Sequence, residues 1–263
     1  MNPYEIIERG GPGEIGWRIY FFESLASTQE KAAELAAHGS AQGTVVIADS
    51  QSAGRGRMRR RWHSPPGVNL YLTVILRPRM AAELMPQLSL VAGVAAAEAI
   101  ELVAPARVRL KWPNDLWIDG RKTGGIISET VTERGQIVAV LLGIGINVNL
   151  QAVEIPADLR ETAISIRAAT GESCDRPALA AALFSRLNYR YMEAERLGFD
   201  PVRPVWEGYS ALTGRRVAVV SGTARETGVV RGIDAAGALM LETGAGTLRF
   251  VAGEVTVEGA YQL

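Results

Sequence analysis

The chain has 263 residues, and its 28 Lys+Arg balance 28 Asp+Glu, so the formal net charge at pH 7 is zero. Proteins that bind DNA or RNA usually carry an excess of basic residues, so this balance favours a small ligand over a polyanion. The one cysteine, Cys174, allows no intramolecular disulfide, and together with two histidines it gives too few ligands for a Cys/His zinc site.

The N-terminus and the longest apolar stretch carry no targeting or membrane signal. Residues 1–16 are glycine-rich and acidic, without the apolar segment of a signal peptide. The apolar stretch 88–104 is interrupted by Glu98 and Glu101, which indicates a core-facing helix and not a membrane span. We therefore expect a cytoplasmic protein without a membrane partner.

Strands and helices alternate over residues 18–197. A first strand is predicted at 18–23, and Ser27 with Glu30 has the spacing of a capping box that begins a helix ending near His38. Period-two patterns predict further strands, and alanine-rich or amphipathic patterns predict two further helices. The strands are expected at 44–48, 69–76, 107–112, 116–118, 125–132 and 136–148, and the helices at 86–103 and 177–197.

The character of the sequence changes after Gly208. Short β-branched runs separated by glycine turns follow, at 216–220, 228–233, 239–242, 247–251 and 254–258. Evenly spaced short strands are typical of a small barrel, and about fifty residues is small for independent folding. We predict a main domain over 1–208 and a small domain over 209–263 that packs against it. Trp206 and Tyr209 are expected to pack it onto the helix at 177–197.

The most informative segment is residues 54–62, here called the arginine loop. It holds five arginines, the glycines Gly54 and Gly56, and Trp62 at its end. Glycines allow backbone to approach an anion, arginines bring fixed charge, and an indole stacks on a flat heterocycle. The loop suits a ligand with a phosphate and a base, such as a nucleotide. A solvated basic turn and a patch that binds nucleic-acid phosphates are the alternatives that the loop alone leaves open.

A second constellation lies between residues 111 and 125. Pro113 ends a strand, so Asn114 and Asp115 should lie at a turn with free side chains, and Lys122 should lie on the next glycine-bounded turn. Cations and a carboxylate that face the arginine loop suit phosphoryl or adenylyl transfer. Neither a P-loop nor a dinucleotide-binding fingerprint is complete in this sequence.

Five ordered motifs resemble those of the biotin protein ligases. They are Gly54-Arg-Gly-Arg57 with Trp62, Ser64-Pro-x-Gly67-x-Asn-Leu-Tyr71, Lys111-Trp-Pro-Asn-Asp115, Lys122-x-Gly-Gly-Ile126 and Gly143-x-Gly-x-Asn147. The resemblance runs from about residue 18 to 262. It implies an α+β fold, with a mixed β-sheet flanked by helices as the biotin/lipoate ligase-like catalytic domain, followed by a small SH3-like β-barrel.

The chain also departs from the family pattern. Gln29 stands where asparagine is common after the family's biotin-contacting Ser-Thr pair, and Arg59 replaces the usual loop glycine, which affects the expected shape of that loop. Only about seventeen residues precede the first predicted strand, so the resemblance implies the monofunctional type, without the regulatory winged-helix domain. No DNA partner is expected.

The resemblance implies a two-step, ATP-dependent reaction. The biotin carboxylate attacks the α-phosphate of ATP and gives biotinyl-5′-adenylate and pyrophosphate. A lysine ε-amine on a biotin carboxyl carrier domain then attacks the mixed anhydride and releases AMP. Mg²⁺ should accompany ATP.

The resemblance also implies roles for individual residues. Lys122 would hold the carboxylate–phosphate junction, Arg57 and Arg55 would neutralise the two anions, and Asp115 would orient the amine or bind Mg²⁺. Trp62 would stack near the adenine. The full set of expected contacts to biotin or ATP is Ser27, Thr28, Gln29, Gln51, Gly54, Arg55, Gly56, Arg57, Trp62, Asn114, Lys122, Gly125, Gly143, Gly145 and Asn147.

Several alternatives stay open at this point. A lipoate ligase or octanoyltransferase of the same superfamily is the nearest rival, and a nucleic-acid-binding module is the rival from another class. Family members range from monomers to dimers paired through the central sheet, so a homodimer is one expectation. Because its arginines repel one another, the segment 52–65 is expected to be mobile until ligands supply counter-charge.

Overall fold

The structure is a computed structural model that describes residues 1–11, 13–80 and 82–258. The last five residues lie outside the described residues. The predicted small domain and the family resemblance both extend into this segment. The α-helices are α1 (Pro3–Gly10), α2 (Thr28–Ala37), α3 (Leu88–Val103), α4 (Ile166–Thr170), α5 (Arg176–Leu197) and α6 (Val202–Tyr209).

The strands fall into two groups along the chain. The first group is β1 (Ile19–Leu25), β2 (Val45–Gln51), β3 (Leu70–Leu76), β4 (Arg109–Lys111), β5 (Asp115–Ile118), β6 (Arg121–Glu133) and β7 (Gln136–Ile146). The second group is β8 (Arg216–Ser221), β9 (Ala224–Ile233), β10 (Leu239–Thr243), β11 (Gly246–Phe250) and β12 (Glu254–Val257). Every strand predicted within the described residues is present, with ends that differ by a few residues.

The first seven strands form one mixed sheet in the order β1-β2-β3-β7-β6-β5-β4. The β1–β2 pair is parallel and the other neighbours are antiparallel. Strand β3 is buried along its whole length, because α2 covers one face of the sheet while α3 and α5 pack on the other side. The predicted mixed sheet flanked by helices is confirmed.

Helix α3 is the central core helix of this layer. With the preceding turn it is long and apolar enough to cross a membrane by length and composition alone. However, most of its residues are buried against α5 and the sheet. Its continuous apolar surface therefore matches the all-round burial of a core helix.

The second group of strands forms a separate antiparallel sheet in the order β11-β10-β9-β8-β12. It is SH3-like in its short, glycine-separated strands. Within residues 216–257, β11 and β12 are not paired with each other, so the expected barrel is open at that seam. The domain boundary between residues 208 and 209 stays a prediction.

Three helices were not predicted from the sequence: α1, α6 and the five-residue α4. Helix α1 is capped by Asn2, whose side chain accepts a hydrogen bond from the backbone N–H of Tyr4, and it packs on α5. Helix α6 packs mainly on α3 and less on α5, with Trp206 buried and the Tyr209 hydroxyl donating to Glu101. The contact with α5 that the sequence predicted is therefore present, but it is smaller than the contact of α6 with α3.

A short turn of the second sheet is pinned onto the first layer. The buried indole of Trp112 donates from Nε1 to the backbone oxygen of Gly237 at 3.0 Å. Gly237 has φ +78°, and a Cβ there would lie 2.6 Å from Leu90 Cδ1 in α3. The two sheets are thus held in a defined relation at this turn.

The Trp112 hydrogen bond should stabilise the fold measurably. We expect Trp112→Phe to lower the free energy of unfolding by about 1–3 kcal/mol, because the buried Gly237 carbonyl loses its donor. Trp117→Phe is the matched control, since the Trp117 Nε1 is buried without a hydrogen-bond partner. Urea unfolding measures both, and equal losses would contradict the assigned role of this bond.

Candidate active site

The arginine loop is folded as a short hairpin. Arg55 and Arg61 form an antiparallel bridge, and the Trp62 N–H donates to the Gly54 oxygen at 2.9 Å. The tip, Arg57–Arg59, is a single 3₁₀ turn in which Met58 has φ 56°. The side chain of Arg59 is outside the described part of the chain, so its effect on the loop stays open. The predicted mobility of residues 52–65 also stays a prediction.

A lysine and a carboxylate meet on adjacent strands beside this hairpin. Lys122 Nζ lies 2.6 Å from Asp115 Oδ1. Asp115 is the first residue of β5 and Lys122 is the second residue of β6, so both lie in strands and not in the turns that the sequence predicted. The antiparallel pairing of β5 with β6 brings them to one rim, as the predicted hairpin requires.

An arginine from the loop reaches the same rim through an asparagine. Arg57 Nη1 donates to Asn114 Oδ1 at 3.1 Å, and Asn114 Nδ2 donates to the Ile126 oxygen at 2.7 Å. Burial lowers the pKa of Arg57, and the charge of Asp115 opposes that shift. A guanidinium stays charged even so, and its partial desolvation favours an anionic partner.

Trp62 packs against glycines of the two central strands. A Cβ on Gly145 would lie 2.8 Å from the Trp62 ring, and one on Gly125 would lie 3.3 Å from it. Lys122 Nζ is 5.5 Å from the centroid of the same ring, within cation–π range. Because these two glycines have no side chain, there is room for the indole to lie against the two strands close to Lys122. Stacking of Trp62 near an adenine stays a prediction.

A polar pocket lies at the N-terminus of α2. Gln51 Oε1 accepts from the backbone N–H of Thr28 at 2.9 Å and from its hydroxyl at 3.2 Å. Ser27 caps the helix by accepting from the N–H of Gln29. The Gln29 amide is buried with neither polar atom paired, and its Oε1 lies 2.9 Å from the Cβ position of Gly143. An unpaired buried amide offers a donor and an acceptor to a ligand that carries both.

Asn147 has its polar partner elsewhere. Its Nδ2 donates to the Ile164 oxygen at 3.2 Å, and its N–H donates to the Thr123 oxygen at 2.7 Å. The structure therefore gives Asn147 a role in holding the segment around residue 164 against β6. A ligand contact for it stays a prediction.

A cavity of about 840 Å³ opens beside the cluster, of a size that suits a small organic ligand. Four residues of the predicted set line it: Arg55, Gly56, Arg57 and Asn114. Lys122 and Asp115 are not among its lining residues. The second domain closes the far side with residues 236–238, 249, 251 and 252.

Two features of the site were not predicted from the sequence: the cavity wall that the second domain forms, and Lys111. The wall has no local signal, because its contact with the site depends on how the two sheets pack. Lys111 had a signal, since it opens the motif that ends at Asp115. The two residues are directly paired across β4 and β5, with Lys111 Nζ 4.8 Å from the Trp117 ring centroid. Burial lowers the pKa of Lys111.

Metal and thiol chemistry find little support in the described residues. Across 1–11, 13–80 and 82–258 no three His, Cys, Asp or Glu side chains come close enough to hold a metal ion. Burial raises the pKa of the Cys174 thiol to about 11, which keeps the thiol protonated at neutral pH. The cluster can neutralise anions and position one carboxylate.

Two family models match this chain. Residues 21–147 match the biotin/lipoate A/B protein ligase family, and residues 213–257 match the biotin protein ligase C-terminal domain. The bifunctional ligase/repressor BirA of Bacillus subtilis is 37% identical over 92% of this chain and 74% of that protein. The biotin–[acetyl-CoA-carboxylase] ligase of Paracoccus denitrificans is 35% identical over 89% of this chain and 98% of that protein.

A solved structure agrees with these matches. The biotin protein ligase of Aquifex aeolicus in complex with biotin and ATP aligns with a TM-score of 0.81 at 28% identity. The alignment covers 92% of this chain and 98% of that chain. The likeness therefore includes both sheets.

The packing of Trp62 on glycine can be tested directly. We expect Gly145→Ala to displace the indole, because the added methyl would lie 2.8 Å from the ring, and near-ultraviolet circular dichroism should change. Gly208→Ala in α6 is the control, since a Cβ there meets nothing within 4 Å. An unchanged spectrum for Gly145→Ala would show that the Trp62 ring does not pack against β6 and β7 at these glycines.

Proposed function

This chain belongs to the biotin protein ligase family, and we infer that it is an ATP-dependent biotin protein ligase. Biotin and ATP are its substrates, and a protein of a biotin-dependent carboxylase receives the biotin. This function rests on one combined observation. The chain matches both domains of the family, and the first of them holds a cluster of Arg57, Asp115 and Lys122. A lipoate ligase is a relative within the superfamily only.

The first step must bring two anions together. A carboxylate oxygen of biotin attacks the α-phosphorus of ATP, and the bond from that phosphorus to the bridging oxygen of pyrophosphate breaks. We assign Arg57 and Lys122 to the charge that develops on the phosphate, because prearranged cations lower the barrier without reorganising. Arg55 lines the cavity beside the cluster together with Arg57 and adds charge.

The second step transfers the acyl group. The neutral ε-amine of the acceptor lysine attacks the acyl carbon of the adenylate, the carbon–oxygen bond to phosphate breaks, and AMP leaves. The attacking nitrogen loses one proton in this step. We assign Asp115 to orienting the amine and to accepting that proton, since it is the carboxylate nearest to Lys122.

The biotin ring fits the polar pocket at α2. Its ureido group both donates and accepts hydrogen bonds, which complements the unpaired amide of Gln29 and the remaining Gln51 amide hydrogen. Thr28 and Ser27 would lie beside it. We treat Mg²⁺ as part of the Mg·ATP substrate, with Asp115 as the one protein carboxylate, because Mg²⁺ is commonly held by one or two carboxylates plus phosphates.

A carrier domain and a second copy of the chain are the proposed macromolecular partners. Strand β5 pairs with β6 only as far as Gly125, and the Asn114 backbone pairs with Ile126, so among the described strands the far half of β6 has an open edge. An open edge is a template for strand addition. We propose that the carrier domain, or β6 of a partner chain, uses this edge. The neutral net charge supports the absence of a DNA partner, and we propose a cytoplasmic location.

The function is tested by one incubation. The protein is mixed with biotin, Mg·ATP and a biotin carboxyl carrier domain, and mass spectrometry follows the carrier. We expect one lysine to gain one biotinyl group, and lipoate in place of biotin to give no product. Absence of pyrophosphate in the presence of biotin and ATP would overturn the assignment.

Removing the Lys122 charge should separate chemistry from folding. We expect Lys122→Met to slow adenylate formation by about 10²–10³-fold, the usual effect of losing one charge-stabilising group. Lys31→Met on α2 is the control, because Lys31 pairs with Glu34 away from the cluster. A far-ultraviolet spectrum that collapses with activity would instead mean that Lys122 is structural.

A homodimer through β6 should be sensitive to charge at its edge. We expect Thr130→Lys to shift a dimer to monomer in analytical ultracentrifugation, since lysine on an edge strand blocks edge-to-edge pairing. Thr247→Lys on the outer strand β11 is the matched control and should leave the mass unchanged. A dimer that survives the Thr130 change is not paired through this edge.

A further inference from the structure

We propose that Ser64 is a positioning residue that couples the polar pocket at α2 to the arginine loop. This inference rests on the proposed function, because the pocket and the loop are there assigned to biotin and to phosphate. Ser64 lies two residues after Trp62, the last residue of the loop, and is 7% exposed. It is outside the predicted site set, and the cavity beside the cluster does not include it.

The Ser64 hydroxyl bridges a pocket side chain and the loop backbone. Gln51 Nε2 donates to Ser64 Oγ at 3.0 Å, and Ser64 Oγ donates to the Trp62 oxygen at 3.1 Å. A serine hydroxyl has one hydrogen, so donation to Trp62 leaves its lone pairs for Gln51. The direction of the relay is therefore set.

The same relay continues into the core at its other end. Gln51 Oε1 accepts both polar hydrogens of Thr28, and the Thr28 hydroxyl in turn accepts from the fully buried Thr73 on β3. With its oxygen held by Thr28 and one amide hydrogen held by Ser64, the Gln51 amide has a single orientation. One amide hydrogen remains for a ligand.

Gly54 packs closely against this relay. A Cβ on Gly54 would lie 2.7 Å from Ser64 Oγ, 2.8 Å from the Trp62 oxygen and 3.0 Å from Gln51 Nε2. Gly54 is the residue whose oxygen closes the hairpin with the Trp62 N–H. A ligand that fixes Gln51 therefore also fixes the Trp62 backbone, and through it the hairpin that carries Arg57.

A double-mutant cycle separates coupling from a structural role. Biotin KM and kcat for pyrophosphate release are measured in wild type, Ser64→Ala, Gln51→Ala and the double variant. We expect Ser64→Ala to raise biotin KM by about 3–10-fold, the equivalent of one net hydrogen bond, and to lower kcat, because the hairpin that carries Arg57 is held less firmly. In the Gln51→Ala background it should add nothing. Equal, additive effects in both backgrounds would overturn the proposal.

Trypsin provides a second readout of the same coupling. We expect saturating biotin to protect the arginine loop of the wild type from cleavage and to protect Ser64→Ala much less. Ser52→Ala is the matched control, because it removes an exposed hydroxyl from the segment that precedes the loop. Equal protection of wild type and Ser64→Ala at saturating biotin would also contradict the coupling.

Two further variants keep the outcome interpretable. Ser64→Cys preserves the volume with a weak hydrogen-bonding group, so it replaces Ser64→Ala if that variant does not fold. Ser64→Thr retains the hydroxyl and should restore the biotin KM. A wild-type protein that releases no pyrophosphate with biotin refutes the proposed function, whereas an active wild type with an unaffected Ser64→Ala refutes only this inference.

Discussion

The ion pair between Lys122 and Asp115 joins β5 and β6 where the arginine loop approaches the sheet. A site that must hold a carboxylate next to a phosphate needs several cations, and several cations in one place repel one another. Asp115 offsets part of that repulsion at the rim. Arg57 is linked to the same point through Asn114. The remaining geometry serves to bring these charges together on strands that a seven-stranded sheet keeps in register.

Carboxylates outside the rim balance the loop itself. Arg55 lies 3.5 Å from Glu30 on α2, and Arg60 pairs with Glu254 on β12. Such partly exposed pairs contribute little to stability, since solvent screens them. Their value lies in orientation: they connect the hairpin to a helix of the first layer and to a strand of the second sheet. The loop therefore has neighbours on both sides of the cavity.

Missing side chains matter as much as present ones. The Trp62 indole can lie on β6 and β7 only because Gly125 and Gly145, paired across those strands, have no Cβ. Gly143 leaves room in the same way for the Gln29 amide. Bulky residues at these positions would fill the space in which aromatic and polar groups now meet. The backbone thus contributes the shape of the pocket, while side chains contribute its charge.

The sequence by itself determined the order of strands along the chain, the small second sheet and most residues of the charged cluster. These follow from period-two patterns and from motifs in which a few consecutive residues act together. The mixed sheet was implied by the resemblance of those motifs to a known family. Helices α1, α4 and α6 were missed because a short helix gains its stability from packing, which local patterns do not record. Lys122 was placed in a turn, whereas strand pairing extends β6 to include it. Only the tertiary structure decided the cavity wall from the second sheet and the Ser64 relay. Contacts between residues distant in sequence depend on how two sheets pack, and that packing is settled by the whole core.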